Sequence, residues 1–228
     1  MKKALLIISL LALTSLSVLF YVFEKYNLLA IAVSILLLMI FFVRYENQAT
    51  KPREIVLISV MIALGVAGRC LFALTPGFKP VSAIIVITGI YFGTSAGFIT
   101  GALTALLSNI MFGQGPWTIF QMVAWGGVGI IAGCCSKFKN NTIALIALSI
   151  FAAISYSALM DIWTVLSYEN GFTLEVYLTA LGASLPFVLL YILSNIIFLF
   201  ILRKPIGNQL ERMKNKYGVF LKKLEVSK

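Results

Sequence analysis

Histidine is absent from this chain of 228 residues, and only 11% of the residues are charged. Without histidine, the chain cannot use an imidazole as a catalytic base, a haem ligand or the usual zinc ligand. An average soluble domain carries about 25% charged residues, so this composition excludes a soluble enzyme and a disordered chain. Since 61% of the residues are hydrophobic, the sequence indicates an integral membrane protein.

Cysteine is also scarce, and its spacing is not that of a metal site or a redox pair. The three cysteines lie in apolar stretches, at Cys70, Cys134 and Cys135. The last two are adjacent, and adjacent cysteines do not form an ordinary structural disulfide. We therefore expect small side chains buried in the membrane, no metal site and no cofactor.

Eight apolar runs can be read along the chain, each bounded by charged residues or by Gly, Pro, Asn or Ser. They are Ala4–Phe23, Leu28–Val43, Ile55–Leu74, Val81–Phe92, Ala96–Phe112, Thr118–Cys135, Thr142–Leu166 and Val176–Leu202. A membrane-spanning helix needs roughly 20 apolar residues. The run Val81–Phe92 is shorter, so it can span only if neighbouring helices bury it or the bilayer thins locally.

The basic residues favour eight spans over seven. With eight, nearly all of the 18 lysines and arginines face the cytoplasm, while Lys25 and Lys79 lie outside and Arg69 lies within a span. Positively charged loops concentrate on the cytoplasmic side. With seven spans, the basic tail would face outward. We therefore predict an all-α, multi-pass helix bundle in the cell membrane with both termini in the cytoplasm.

The predicted organisation has four parts. Residues 1–43 form a two-helix N-terminal transmembrane hairpin, 44–53 a cytoplasmic linker, 54–205 a six-helix core and 206–228 a basic tail. The tail alternates apolar and basic residues at helical spacing, which is typical of an amphipathic helix on anionic membrane lipid. A helix that docks a partner is the alternative. No basic patch is interleaved with aromatic residues, so we expect no nucleic acid partner.

Polar and aromatic side chains concentrate at the predicted outer end of the core. Seven of them are candidate substrate-binding residues: Arg69, Asn109, Gln114, Trp117, Gln121, Trp125 and Asp161. Ionisable residues inside membranes usually face a partner or a wet cavity. Arg69 and Asp161 have opposite charges at similar predicted depth, so either they pair or Arg69 meets the ligand. Buried aromatic anchors tend to dominate affinity, so we expect Trp117→Ala to weaken binding more than Gln121→Ala.

Small residues recur at helical spacing in three places. Gly93, Gly97, Gly101 and Ala105 form one row, Gly129 and Gly133 a second, and Ala63 and Ala67 a third. Such rows let membrane helices approach closely. Packing inside this chain is the simplest interpretation of the glycine rows. The alanine pair is too common a pattern to interpret by itself.

Several stretches of residues 54–204 together resemble a known transporter family. They are Gly68-Arg69, Phe78-Lys79-Pro80, Phe92-Gly93, Gly97-Phe98, Ser108-Asn109, the run from Phe112 to Thr118, and Gln121-Met122. The chain resembles the substrate-binding S components of energy-coupling-factor (ECF) vitamin importers, in the branch that transports cobalamin and its precursors. The run from Asn109 to Trp125 is the most specific part, and the leading hairpin departs from the six-helix pattern of that family.

The resemblance implies a membrane subunit that binds a vitamin at its outward face, with a cobamide or its precursor favoured. It also implies delivery driven by a transmembrane coupling protein and two ATPase subunits. In such proteins an AxxxA motif on the first core helix docks the coupling protein, and Ala63 and Ala67 match it. No Walker A motif is present, so we expect a non-enzymatic chain whose partners hydrolyse ATP.

Two other classes remain open. A membrane enzyme acting on lipid would need a cluster of catalytic carboxylates or serines, but Asp161 is the only acidic residue within a predicted core span. A structural or regulatory membrane subunit would bind no ligand at all. Mass spectrometry of the purified protein distinguishes this last class from an importer subunit, because only the importer subunit is expected to retain a small molecule.

Overall fold

The computed structural model describes residues 52–168 and 172–220, together with isolated positions between residues 15 and 43. Residues 52–168 and 172–220 contain six α-helices and a short 3-10 helix. In chain order they are α1 (Pro52–Leu71), α2 (Val81–Phe92), α3 (Thr94–Phe112), α4 (Trp117–Cys134), the 3-10 helix (Ser136–Phe138), α5 (Thr142–Leu166) and α6 (Leu174–Tyr217). The all-α prediction is confirmed for these residues. The predicted hairpin, most of the linker and the last eight residues of the tail lie outside the described residues.

Five of these helices are long and apolar enough to cross a membrane: α1, α3, α4, α5 and α6. The chain is therefore a multi-pass membrane protein by the length and composition of its helices. Helix α2 has only 12 residues. At 1.5 Å per residue it is about 18 Å long, well short of the roughly 30 Å hydrocarbon core of a bilayer.

Helix α2 lies at the centre of the bundle. Eleven of its 12 residues are buried, and it contacts α1, α3, α4, α5 and α6. Gly93 separates it from α3 with a φ of 94°, a conformation that glycine adopts readily and other residues rarely do. The break between the predicted apolar runs Val81–Phe92 and Ala96–Phe112 is therefore present, and the short helix is surrounded by protein instead of lipid.

Helices α3 and α4 pack with their backbones in contact. A Cβ atom added to Gly97 would overlap the carbonyl of Gly129, and one added to Gly101 would overlap the carbonyl of Trp125. A Cβ atom on Gly133 would overlap the backbone of Thr94 at the start of α3. The glycine rows thus serve packing inside the chain, where van der Waals contact between helices replaces the driving force that water would supply.

Helix α6 has 44 residues and continues through Pro186 and Pro205 to Tyr217. The predicted boundary between core and tail at residue 205 falls inside this helix. Beyond that boundary, Gly207 packs on the ring of Tyr91, and Leu210 is buried in the hydrophobic core. The first part of the basic tail is therefore helical, as its spacing predicts, and it packs against the bundle as an extension of α6.

Candidate ligand-binding site

The Arg69 end of the bundle is the end where α1 and α3 finish and α2 and α4 begin. The opposite end, where α2 and α4 finish beside the 3-10 helix, is called the Lys139 end. At the Arg69 end, polar side chains of four helices join in one hydrogen-bonded group, which we call the Arg69 cluster: Arg69, Ser108, Asn109, Thr118, Gln121 and Tyr156.

Arg69 lies in the last turn of α1 and reaches α3. One terminal nitrogen, Nη1, donates to Ser108 Oγ at 2.5 Å and to Asn109 Oδ1 at 2.6 Å. The guanidinium carbon lies 4.5 Å from the ring centre of Phe112 and 5.4 Å from that of Trp125, distances at which cation–π attraction operates. Among the described residues, the other guanidinium nitrogens have no acceptor, so Arg69 keeps free donors beside an aromatic surface.

Asn109 is the centre of the cluster and is only 1% exposed. Its amide oxygen accepts from Arg69, and its Nδ2 donates to Thr118 Oγ1 at 2.8 Å and to Gln121 Oε1 at 2.9 Å. Gln121 Nε2 in turn donates to the hydroxyl of Tyr156 on α5 at 2.9 Å. Each of the two side-chain amides accepts a hydrogen bond through its oxygen and donates through its nitrogen, so the orientation of both amides is fixed. The hydrogen bonds also hold α1, α3, α4 and α5 in register.

Aromatic side chains lie directly against this polar group. The rings of Trp125 and Tyr156 stack with centres 5.3 Å apart and planes at 21°. Trp125 Nε1 donates to the hydroxyl of Tyr191 on α6 at 3.1 Å, and that hydroxyl lies 2.5 Å from Ser82 Oγ on α2. Polar donors and acceptors thus sit beside flat apolar surface, as in sites that bind small organic molecules.

The Arg69 cluster is recessed relative to α5 and α6. Tyr156 lies ten residues before the last residue of α5, and Tyr191 lies 17 residues after the first residue of α6. At 1.5 Å per residue, these helices extend beyond their contacts with the cluster by about 15 Å and about 26 Å along their axes. The hairpin of α5 and α6 therefore extends past the cluster on one side, and we call this extending part the wall.

Lys79 is a functional candidate that the sequence analysis did not select. The loop that carries it is tied to α6, since the Lys79 backbone N–H donates to Ser194 Oγ at 2.8 Å and Ser194 Oγ donates to the Lys79 carbonyl at 3.1 Å. The side chain is half-buried. Burial and, more weakly, the positive charge of Arg69 lower the pKa of Lys79 from 10.5 to about 8.

Among the described residues, neither cation at this end has a carboxylate partner. In the described part of the chain, the salt bridge that forms is Lys139–Glu211 at the opposite end, and no carboxylate lies within 4 Å of Arg69 or Lys79. The signal for Lys79 was present in the sequence, because it is one of two basic residues that the predicted topology places outside. Ser108, Thr118, Tyr156 and Tyr191 were also missed, since their polar groups are common in membrane helices.

Gln114 and Trp117 lie at the edge of the cluster. Gln114 is exposed, its Nε2 donates to the Leu106 carbonyl at 2.8 Å, and its Oε1 accepts from Thr118 Oγ1 at 3.0 Å. Trp117 is 36% exposed and covers Gly115. Both residues therefore shape the loop above Thr118, and Gln114 joins the cluster only through that threonine.

Asp161 does not join the cluster. Its Oδ2 accepts from Ser184 Oγ at 2.7 Å, so the carboxylate faces α6, while Arg69 faces α3 and α4. The pairing of Arg69 with Asp161 that similar depth suggested is absent. Of the seven residues predicted from the sequence, the structure brings together Arg69, Asn109, Gln121 and Trp125, attaches Gln114 and Trp117 at the rim, and places Asp161 apart.

Ala63 and Ala67 lie on the outer face of α1. Both are exposed, and so are Val56 (61%) and Val60 (50%) on the same side of the helix. In the described residues, no helix covers this stripe of small and β-branched side chains. It is therefore open to lipid or to a second protein.

The described residues hold no group of three or more Cys, Asp or Glu side chains that could bind a metal ion, and the three cysteines are free. Residues 48–207 match the model of DUF6580, a family of unknown function. The chain belongs to the DUF6580 family. No curated protein and no solved structure matches the chain.

Proposed function

We propose that this DUF6580 protein is the substrate-specific membrane subunit of an ECF-type importer, which binds a vitamin at the Arg69 end. The observation that carries the proposal is the convergence of fixed polar groups and stacked aromatic rings from α1, α3, α4, α5 and α6 at one recessed place. Inside a membrane, such groups are costly unless they serve binding or transport. The resemblance in the sequence favours a cobamide or a cobamide precursor as the ligand.

The network is suited to binding because its own hydrogen bonds hold it in place. Asn109 and Gln121 have fixed orientations, so they hold Arg69 in place, and a ligand that binds Arg69 loses little free energy to ordering the site. The ring of Phe112, 40% exposed and 4.5 Å from the Arg69 guanidinium carbon, offers an apolar face beside it. The wall formed by α5 and α6 limits access to one side, which is the geometry expected of a site open to one compartment.

The exposed stripe around Ala63 and Ala67 supports a docking role. In this proposal it contacts the transmembrane coupling protein, which acts with two ATPase subunits, and the present chain hydrolyses no ATP. The proposed layout is a six-helix core preceded by a two-helix hairpin, in the cell membrane, with both termini in the cytoplasm. The Arg69 end then faces outward, and the Lys139 end faces the energising subunits.

A first experiment identifies the ligand. The chain is purified from its native source in mild detergent, and small molecules released on denaturation are analysed by mass spectrometry. We expect a vitamin or vitamin precursor in a fixed ratio to protein. Purification without any small molecule, together with no binding of cobamides or other vitamins in titrations, would favour the structural or regulatory subunit.

A second experiment tests docking separately from binding. Replacing Ala63 and Ala67 by leucine adds bulk to the exposed stripe, so we expect uptake in cells to be lost while the isolated subunit still binds ligand. The control is Ala147→Leu, which makes the same replacement at one exposed alanine of α5. Uptake that survives the double replacement, or that the control abolishes equally, contradicts the docking assignment.

A further inference from the structure

Two cations lie near each other at the Arg69 end, and the described part of the chain places no carboxylate against either of them. Arg69 lies on α1 and Lys79 on the loop that follows it, and Gly68, next to Arg69, lies against the ring of Pro80, next to Lys79. The positive charge of Arg69 also lowers the pKa of Lys79. No carboxylate lies within salt-bridge distance of either residue in the described part of the chain. Asp161, the acidic residue predicted nearby, is bound to Ser184 instead.

Hydrogen-bond donors of both cations also remain unused in the described part of the chain. Arg69 spends one terminal nitrogen on Ser108 and Asn109, so Nε and the other terminal nitrogen remain without acceptors among the described residues. The ammonium group of Lys79 also lacks an acceptor in the described part of the chain, since the contacts of Lys79 with Ser194 are made by its backbone. Both side chains are only partly buried, so a solute can reach them.

The surroundings make this arrangement unfavourable in the absence of an anion. The Arg69 guanidinium lies over Phe112 and Trp125, where few water molecules can solvate it. Two like charges near each other in such surroundings repel strongly, because the local dielectric constant is low. An oxyanion between them would accept charge-assisted hydrogen bonds from both and remove the repulsion.

We propose that Arg69 and Lys79 together bind an oxyanion, carboxylate or phosphate, of the molecule that occupies the Arg69 end. This inference deepens the proposed function and rests on it for the statement that the ligand is a small organic molecule. Arg69 supplies a planar pair of donors and Lys79 a point charge. The ring of Phe112, which is 40% exposed and lies 4.5 Å from the Arg69 guanidinium carbon, is then placed to contact the uncharged part of the ligand.

A phospholipid headgroup offers the same oxyanion chemistry, so the experiment needs arms that separate the two sources. The purified subunit is placed in nanodiscs of phosphatidylcholine alone or with added phosphatidylglycerol. Each preparation is titrated with inorganic phosphate at constant ionic strength, while the Lys79 ammonium is followed by NMR of isotopically labelled lysine and assigned with Lys79→Gln. We expect phosphate to shift the Lys79 signal in phosphatidylcholine discs, with Lys137 at the other end unaffected.

A second arm uses pairs of organic molecules in which one member carries an anionic group that the other lacks. Suitable pairs are pantothenate with panthenol, nicotinate with nicotinamide, pyridoxal phosphate with pyridoxal, and cobalamin, which has a phosphodiester, with cobinamide. We expect the charged member of any pair that binds to bind at least roughly tenfold more tightly, since charge-assisted hydrogen bonds are about twice as strong as those between neutral groups. Lys79→Gln should remove most of that preference, and the matched control Lys137→Gln should keep it.

The outcomes separate the two proposals. If phosphate shifts the Lys79 signal but no organic molecule binds, the oxyanion site stands and the importer function fails. If a neutral molecule binds as tightly as its charged partner and phosphate leaves Lys79 unchanged, the importer function stands and the oxyanion site fails. If only phosphatidylglycerol shifts the Lys79 signal, the oxyanion comes from lipid, and the assignment to a soluble ligand is overturned.

Discussion

Both ends of the bundle carry positive charge, but the partners of the charged side chains differ between the two ends. At the Lys139 end, Lys139 pairs with Glu211 and lies 5.6 Å from the ring centre of Tyr91. Lys214 donates to the Tyr91 carbonyl at 3.3 Å. At the Arg69 end, no carboxylate meets Arg69 or Lys79 in the described residues. In the described residues, the Lys139 end therefore pairs one of its lysines with a carboxylate, whereas the Arg69 end pairs neither of its cations.

The charged side chains of the Lys139 end are also more accessible to water than Arg69 is. The Lys139 end has a cleft of about 420 Å³ lined by Ile90, Tyr91, Ser136, Lys137, Lys139, Glu211, Lys214 and Asn215. Water in such a cleft solvates the lysines, so their charge costs little. The Arg69 guanidinium instead lies over aromatic rings. Substitutions at the two ends should consequently differ in their effects on folding stability and ligand affinity. The expected effects are given from the largest to the smallest.

Asn109→Leu should cause the largest loss of folding stability, roughly 3 kcal/mol or more. It removes the acceptor of Arg69 and the donor to Gln121 at a buried position, and a buried polar group left unpaired costs about 1–3 kcal/mol. Reversible unfolding in detergent measures the change. The matched control Asn208→Leu, at an exposed position of α6, should change stability by less than about 0.5 kcal/mol. Equal effects would show that Asn109 does not organise the site.

Gln121→Ala should weaken ligand binding by roughly 2 kcal/mol, and Trp117→Ala by less. Gln121 is buried and joins Asn109 to Tyr156, so its loss frees two partners. Trp117 lies at the exposed rim. From these positions we expect the reverse of the ranking expected from the sequence. Calorimetric titration of the isolated subunit measures both affinities, and a larger loss for Trp117→Ala would restore the original ranking.

Alkaline pH should weaken anion binding and strengthen the fold. The pKa of Lys79 is about 8 in the folded chain against an ordinary value of 10.5. Between these values the unfolded chain holds a proton that the folded chain has released, so stability contributed by this group rises with pH. Over the same range Lys79 loses its charge, so affinity for an anionic ligand should fall several-fold as pH rises through 8. Lys79→Gln should remove both trends from titration and unfolding curves.

Glu211→Gln should have the smallest effect, below about 1 kcal/mol. The Lys139 and Glu211 side chains are 37% and 43% exposed, and exposed ion pairs contribute little to stability. Ligand affinity at the other end should be unchanged. Thermal unfolding and ligand titration of this variant measure both quantities. A loss of several kcal/mol would mean that the Lys139 end is as sensitive to charge as the Arg69 end.

Much of the fold follows from the sequence because the helix limits are marked by residues with clear conformational preferences. Gly93 ends α2 with a positive φ. Asn141 caps α5 by accepting from the backbone N–H of Ala144. The end of α6 was less visible, since the apolar run ends at Leu202 and a basic segment follows. The helix nevertheless continues, because the packing of Gly207 and Leu210 against the bundle stabilises it.

The sequence predicted at what depth in the membrane the site residues lie, but not towards which helix each side chain points. Position along each helix placed Arg69, Asn109 and Gln121 near one level, and the structure joins them. Asp161 has a similar predicted depth, but the rotation of α5 turns it towards α6. Rotation depends on how whole helices pack, which spacing along one helix does not specify. Lys79 was missed for a related reason, since only the fold shows that its loop lies against α6.

The backbone contact between α3 and α4 also bears on the order in which the protein is made. Gly97 and Gly129 meet across two helices joined by a short loop, so their contact forms between segments that emerge from the ribosome one after the other. Arg69, Asn109 and Gln121 all belong to α1, α3 and α4 and are synthesised before α5. Arg69 can therefore form its hydrogen bonds during synthesis, before α5 and α6, which carry Tyr156 and Tyr191, are made.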